Sequence, residues 1–321
     1  MPSTQTKRIR KDILDAVKGR LMDGSNGIYL RPDNEDITKM TGLIIGPEKT
    51  PYEGGFFFFD ITFPNEYPLK PPSVKFGTLN PYVRFNPNLY TDGKVCLSLI
   101  GTWHGPGWTA CCGIPTVMLS IQALVLTENP LINEPGFENA DKNRLLQYDL
   151  VVEYYTYAVA VCDMLQKSPI QFEPYKDELF IYFYNNFDKY IERINSLRKR
   201  IDENSHLFKD YGKGIIDAGV YNMCAKPDFD LLLTKFISLK EKMDGAIATP
   251  NKGVISKRCD TLNTFNSYEL ISHYANLLGI SIEKDDTTEE GGAGKESIFK
   301  KCPKSKKQLL CDIEIAIETT E

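Results

Sequence analysis

The sequence predicts an α+β fold: an N-terminal helix, a four-stranded antiparallel meander, then helices, with a mainly helical C-terminal extension. Three observations predict it. Apolar residues recur every four positions near the N-terminus. β-branched and aromatic runs closed by Gly or Pro follow at short spacing. From Pro115 onward the apolar spacing turns helical.

Taking the elements in order, Ile9, Ile13, Val17 and Leu21 form one apolar stripe, while Lys7, Arg8, Arg10, Lys11 and Lys18 occupy the other face. "GIYLRP", "ITKMTGLIIGP" and "GGFFFFDITFP" read as three strands, and their short connections suit an antiparallel meander. In "PNEYPLKPPSVKF", Pro64, Pro68, Pro71 and Pro72 lack amide donors, so the segment is an ordered extended loop ending in a short fourth strand, "SVKF". Glycines punctuate the stretch from Asn80 to Ile114. Pro115 then opens a helix, "TVMLSIQALVLT", apolar nearly all round and so expected to be buried. Two more helices are expected, Asn139 to Gln147 and Tyr148 to Lys167, the second stopped before Pro169.

From Asp177 to Phe208 the residues Phe180, Phe183, Phe187, Tyr190, Ile194, Leu197 and Ile201 alternate three and four apart. That is a heptad seam for a dimer, but about three heptads are short, and docking on its own domain is favoured over pairing. Beyond Gly212 the pattern weakens. "FDLLLTKFISLKEKM" and "SYELISHYANLLGI" are candidate helices, the charged, Gly-rich segment after them a flexible linker, and "LLCDIEIAIE" alternates like a strand.

Composition excludes some functions. A net charge of −5 argues against broad nucleic-acid binding. No apolar run is long enough to span a membrane, and the N-terminus lacks the apolar centre of a signal peptide, so an intracellular protein, cytoplasmic or nuclear, is expected. The eight cysteines show no paired spacing, and free thiols in a reducing compartment are the default. Zinc on His104, Cys111 and Cys112 is disfavoured, because adjacent cysteines rarely share a metal and no second ligand pair follows; no metal is expected.

The stretch "NPNLYTDGKVCLSLIGTWHGPGW" sets a thiol, Cys96, among turn residues, eight positions after Asn88. Cys96 is either a small buried hydrophobe or a nucleophile. The surrounding motifs decide between them. "YEGG", a strand, and "FPNEYPLKPPSVKF" resemble the signature of the ubiquitin-conjugating enzyme family, from Tyr52 to Phe76. Asn86-Pro87-Asn88 and Cys96 match the family's tripeptide and active cysteine in spacing. The catalytic segment is similar to that of the large hybrid enzymes that combine conjugating and ligase activity, where the tripeptide is likewise NPN.

The resemblance implies a catalytic domain over 1–168, leaving a helical extension over 169–281 and a flexible charged linker with a short tail over 282–321. It implies that Cys96 accepts ubiquitin as a thioester from the activating enzyme and passes it to a substrate lysine, with little ligase help. No cofactor is bound by the chain, since the upstream activating enzyme consumes the ATP. Such chemistry wants an exposed sulfur, donors for the oxyanion and a neutral lysine. Asn88 either steadies the oxyanion or braces the loop. Glu134 and Ser98 are candidates for activating the lysine, with Glu134 equally readable as an acid at a helix N-terminus. His104, a lone loop histidine, is the weaker candidate base. By position, Arg8 and Lys11 fall on the activating-enzyme docking face, and Phe63, Pro64 and Trp108 on the loops that ubiquitin ligases grip, although the aromatics could equally pack the loop down. Alternatives are a conjugating enzyme for a ubiquitin-like modifier, a non-catalytic ubiquitin-binding module of the same fold, and a cysteine hydrolase, for which a suitably placed histidine is lacking.

Overall fold

Ser3 caps the first helix: its Oγ accepts from the Thr6 amide at 3.1 Å. That helix, α1 (Thr4–Lys18), buries Ile9, Ile13, Leu14 and Ala16, and ends at Gly19. Four strands follow, β1 (Ile28–Pro32), β2 (Lys39–Ile45), β3 (Phe56–Thr62) and β4 (Ser73–Phe76), in one antiparallel sheet of order β1-β2-β3-β4. This computed structural model describes residues 3–248 apart from 20, 22 and 23. All of them lie in one compact unit, Met1–Ser256. The expected helix "SYELISHYANLLGI", the charged linker and the "LLCDIEIAIE" strand lie outside the described residues.

β3 explains the architecture. Its four phenylalanines, Phe56 to Phe59, are all fully buried, so the strand is covered on both faces. On one side Phe57 packs against Tyr52 and Phe85, and Gly42, paired with Phe59, meets Met118 of helix α2 (Ile114–Leu124). On the other, Phe58 stacks on Phe172 with ring centres 4.3 Å apart, and Phe56 meets Tyr182 edge-on. Phe172 and Tyr182 come from the extension. Helix α2 starts beside Pro115 as expected, but it is not buried all round. Leu119 and Leu124 are 43% and 60% exposed, because only one side of the helix faces the sheet.

The two helices expected between Asn139 and Lys167 form one run. Helix α3 (Lys142–Tyr155) starts when the Asp141 carboxylate accepts from the Asn143 and Arg144 amides. It continues without a break at Gln147 through a π-helical stretch, Thr156–Asp163, into the final turn α4 (Met164–Lys167). The expected long helix from Asp177 is instead two, α5 (Lys176–Asn185) and α6 (Phe187–Glu203), parted at Asn186. Tyr190, Ile194, Leu197 and Ile201 are buried within the chain, and the Tyr190 hydroxyl donates to the Gly54 carbonyl at 2.6 Å. Ion pairs tie the extension down: Arg31 with Glu178, Arg193 with Glu53, Arg200 with Glu153. After α6 comes a small antiparallel hairpin, β5 (Ile216–Asp217) and β6 (Cys224–Ala225), which the sequence pattern did not reveal, then α7 (Phe229–Ala248).

Candidate functional site

The loop between β4 and α2 is organised around a buried amide. Asn86 is fully buried, and its Nδ2 donates to the Val125 carbonyl at 2.8 Å and the Tyr52 hydroxyl at 3.0 Å. Its Oδ1 accepts from the Asn88 amide at 2.8 Å and from Asn133 Nδ2 at 3.4 Å. Both donors and both acceptor positions are thus used, which is how an asparagine is tolerated without exposure. From there the chain makes a tight excursion. The Cys96 amide donates to the Asn88 carbonyl at 2.8 Å, Leu89 bridges Val95, and the Tyr90 amide donates to Lys94 O across a turn in which Gly93 adopts φ 90°.

The structure therefore joins Asn88 and Cys96. Asn88 Nδ2 donates to the Cys96 carbonyl at 2.7 Å, so in this state the amide braces the loop and commits one of its two hydrogens to that task. The expected exposed sulfur is not found: Cys96 is 1% exposed, between Val95 and Leu97, which are buried too. The chain beyond folds back against it. Thr102 Oγ1 donates to the Val95 carbonyl at 2.7 Å and accepts from the Leu97 amide at 2.9 Å. Access to the buried sulfur needs local opening.

Ser98 is half-buried at the start of a short turn, Ser98–Ile100, and a side-chain carbon placed on Gly105 would lie 3.1 Å from Ser98 Cβ. Glu134 is half-buried next to Asn133, whose amide reaches both Asn86 and the Leu124 carbonyl. Glu134 is not the acid at a helix N-terminus, because α3 begins later under Asp141. Its carboxylate accepts from the hydroxyl of Tyr221, on the extension hairpin. His104 is exposed beside Trp103.

The residues expected to meet partner proteins gather elsewhere, around Tyr67. Its ring contacts Phe63 at 4.8 Å and Trp108 at 5.8 Å, and the Arg8 guanidinium sits 5.8 Å from its centre. Burial, then the Asp12 charge, pushes the Tyr67 phenol well above its ordinary value. Its hydroxyl donates to Asp12, a carboxylate 1% exposed that also pairs with Arg8 at 2.8 Å. Arg8 further donates to the carbonyls of Ala110 and Cys112. Arg8 thus braces α1 against the loop before α2, and only Lys11 of the expected pair is exposed. Phe63 is likewise a correction: it is 2% exposed, because it packs under Tyr67, leaving Pro64 half-exposed. Trp108 is half-buried and packs the loop down, Nε1 donating to the Pro68 carbonyl at 2.7 Å. Asp12 went unnoticed in the sequence, though a carboxylate four residues after Arg8 and beside Ile13 was its signal.

Among the described residues no group of three or more His, Cys, Asp or Glu side chains is arranged to hold a metal ion. No helix among them is long and apolar enough to cross a membrane.

Residues 8–155 match the family model for ubiquitin-conjugating enzymes. Ubiquitin-conjugating enzyme E2 Z from Homo sapiens is 45% identical over 190 residues, which is 57% of this chain and 51% of that protein. The dual E2 ubiquitin-conjugating enzyme/E3 ubiquitin-protein ligase BIRC6 from Homo sapiens is 39% identical over 143 residues, 43% of this chain and 3% of that protein. Among solved structures, the E2 domain of a Toxoplasma gondii ubiquitin conjugating enzyme aligns over 46% of this chain and 97% of its own at 28% identity, with a TM-score of 0.35. The chain spans about half the length of the E2 Z relatives it matches. Residues 8–155, with the N-terminal helix, four-stranded meander and following helices, are thus similar to the ubiquitin-conjugating enzyme family.

Proposed function

We propose that this protein is an active conjugating enzyme that carries ubiquitin as a thioester on Cys96 and transfers it to a substrate lysine with little ligase help. The observation that carries the reading is the mutual bonding of Asn88 and Cys96 inside a domain of this family. In the first step the Cys96 thiolate attacks the thioester carbonyl on the activating enzyme and displaces that enzyme's thiol. In the second, a neutral lysine amine attacks the Cys96 thioester, the tetrahedral oxyanion collapses, and Cys96 leaves as thiolate. A thiolate is both a good nucleophile and a good leaving group, which suits one residue to both steps. Asn88 steadies the loop, and when its amide turns from the Cys96 carbonyl it becomes a neutral donor for the oxyanion. Glu134 takes the lysine proton, with Ser98 as the other polar group near the thiol. Lys11 and the outer side of α1 meet the activating enzyme, and Pro64 and Trp108 border the ligase-facing loops.

Incubation with activating enzyme, ATP and ubiquitin, followed by a non-reducing gel, tests this. A thiol-sensitive adduct is expected, lost in Cys96→Ala and kept in Cys111→Ala and Cys112→Ala. No adduct with ubiquitin would overturn the ubiquitin reading. An adduct with a related modifier alone would redirect it to that modifier, and none with either would leave a non-catalytic module. Free-lysine discharge without any ligase tests the second half, and a thioester stable to lysine alone would refute ligase independence.

A further inference from the structure

The hairpin β5–β6 sits in a place that packing alone does not explain. Its tip, Gly219–Asn222, places Tyr221 and Asn222 in the left-handed region, at φ 56° and 52°, a costly conformation for a bulky side chain. The strain is held by α3. Gln147 Nε2 donates to Asp217 Oδ1 at 2.9 Å, Arg144 to the Gly219 carbonyl at 2.5 Å, and the Tyr155 hydroxyl to the Cys224 carbonyl at 2.6 Å.

What the strained tip delivers is one side chain and a brace. The Tyr221 hydroxyl donates to the Glu134 carboxylate at 2.5 Å, across 87 positions of sequence. Its ring lies against the Arg84 guanidinium, 4.3 Å from the ring centre, and the same guanidinium lies 3.8 Å from the Tyr90 ring centre. Arg84 in turn donates to the Pro87 carbonyl at 2.5 Å, between Asn86 and Asn88, while its own amide points at Met223 Sδ, 3.3 Å away. The Tyr148 hydroxyl donates to the Arg84 carbonyl at 2.7 Å and completes the cage. One stack therefore runs from the extension through Arg84 to both ends of the segment that carries Asn88, and one hydrogen bond runs to Glu134.

We propose that Tyr221 is a positioning residue for transfer to lysine: the extension hairpin aims the Glu134 carboxylate and, through Arg84, steadies the loop of Asn88. The inference rests on the conjugating reading above. It makes the extension part of the acceptor side of the site rather than an appended domain. Tyr221 acts through Glu134, so it matters where a proton must be taken from the amine, not where the thioester is made.

The test separates those steps. Full-length wild-type, Tyr221→Phe, Glu134→Gln and double-variant chains are charged with ubiquitin, the activating enzyme is quenched, and discharge is timed with free lysine and with hydroxylamine, which is largely neutral at neutral pH. Tyr221→Phe keeps the ring on Arg84 and removes only the hydroxyl. The expected result is normal charging, lysine discharge slowed about tenfold, as for loss of a hydrogen bond to a charged group, unchanged hydroxylamine discharge, and no further loss when added to Glu134→Gln. Wild-type lysine discharge in Tyr221→Phe, equal slowing with both nucleophiles, or an undiminished effect in the Glu134→Gln background would each overturn the proposal while leaving the thioester reading intact. A wild-type chain that forms no thioester would overturn both.

Discussion

Replacing Asn86 with alanine removes the centre of the hydrogen bonding in the loop that carries Asn88 and Cys96, and the cost follows from the partners it leaves. The Val125 carbonyl loses a donor at 2.8 Å and the Asn88 amide an acceptor at 2.8 Å, while Tyr52 keeps its bond to the Phe85 carbonyl. Two orphaned backbone groups at about 1–3 kcal/mol each give a loss of about 2–6 kcal/mol, to which the small cavity adds. Asn86→Asp separates polarity from volume. It can still accept from Asn88, but it aims an acceptor at the Val125 carbonyl and buries a charge, so it should be at least as damaging at neutral pH. Urea unfolding followed by far-ultraviolet circular dichroism reads both. A loss below about 1 kcal/mol for Asn86→Ala at unchanged slope would show that water or a neighbour replaces the amide, and the loop would not depend on it.

Asp149 offers a pH test. Burial, then repulsion from Glu153, raises its carboxyl to about 7 despite Arg200, and its Oδ1 is buried without a hydrogen-bond partner. The folded state holds a proton that the unfolded chain releases near pH ~4, so this group's contribution falls as pH rises from about 4 to about 7 and is level above that. Asp149→Asn should flatten this decline and raise stability above neutral pH by up to about 4 kcal/mol; equal pH profiles of melting temperature for both chains would contradict it. A chain ending before Pro169 uncovers Phe56 and Phe58, both fully buried, so it should aggregate on size-exclusion chromatography; a soluble monomer would refute the role given to the extension. In the native protein exposed Cys111 should react with a thiol reagent well before buried Cys96 and Cys162, with peptide mapping as readout. Fast modification of Cys96 would mean that its covering opens freely.

The sequence announced the local elements because each rests on neighbours: the α1 stripe, the proline-rich loop and the spacing of Asn88 and Cys96 are short-range patterns. What it concealed depends on segments far apart meeting. Thr102 ties the turn after Cys96 back to Val95 and Leu97, and a threonine in a Gly-rich loop carries no mark of that. The heptad spacing across Asn186 ran on through a break, since the aromatic residues on both sides pack into one cluster, Phe183 stacking on Tyr190. Tyr221 was least legible: Gly219 and Asn222 mark a turn, but nothing local marks the tyrosine between them, and its target lies 87 positions away. Yet one clue to the extension was present. A strand whose single face is buried alternates, and "FFFFDIT" does not, so its second face needed a cover that the first 168 residues left unassigned. The cover proved to be Phe172, Tyr175 and Tyr182. The same extension that supplies them also carries Tyr221 to Glu134, so the unbroken apolar run of β3 and the polar contact to Glu134 both come from the packing of the extension.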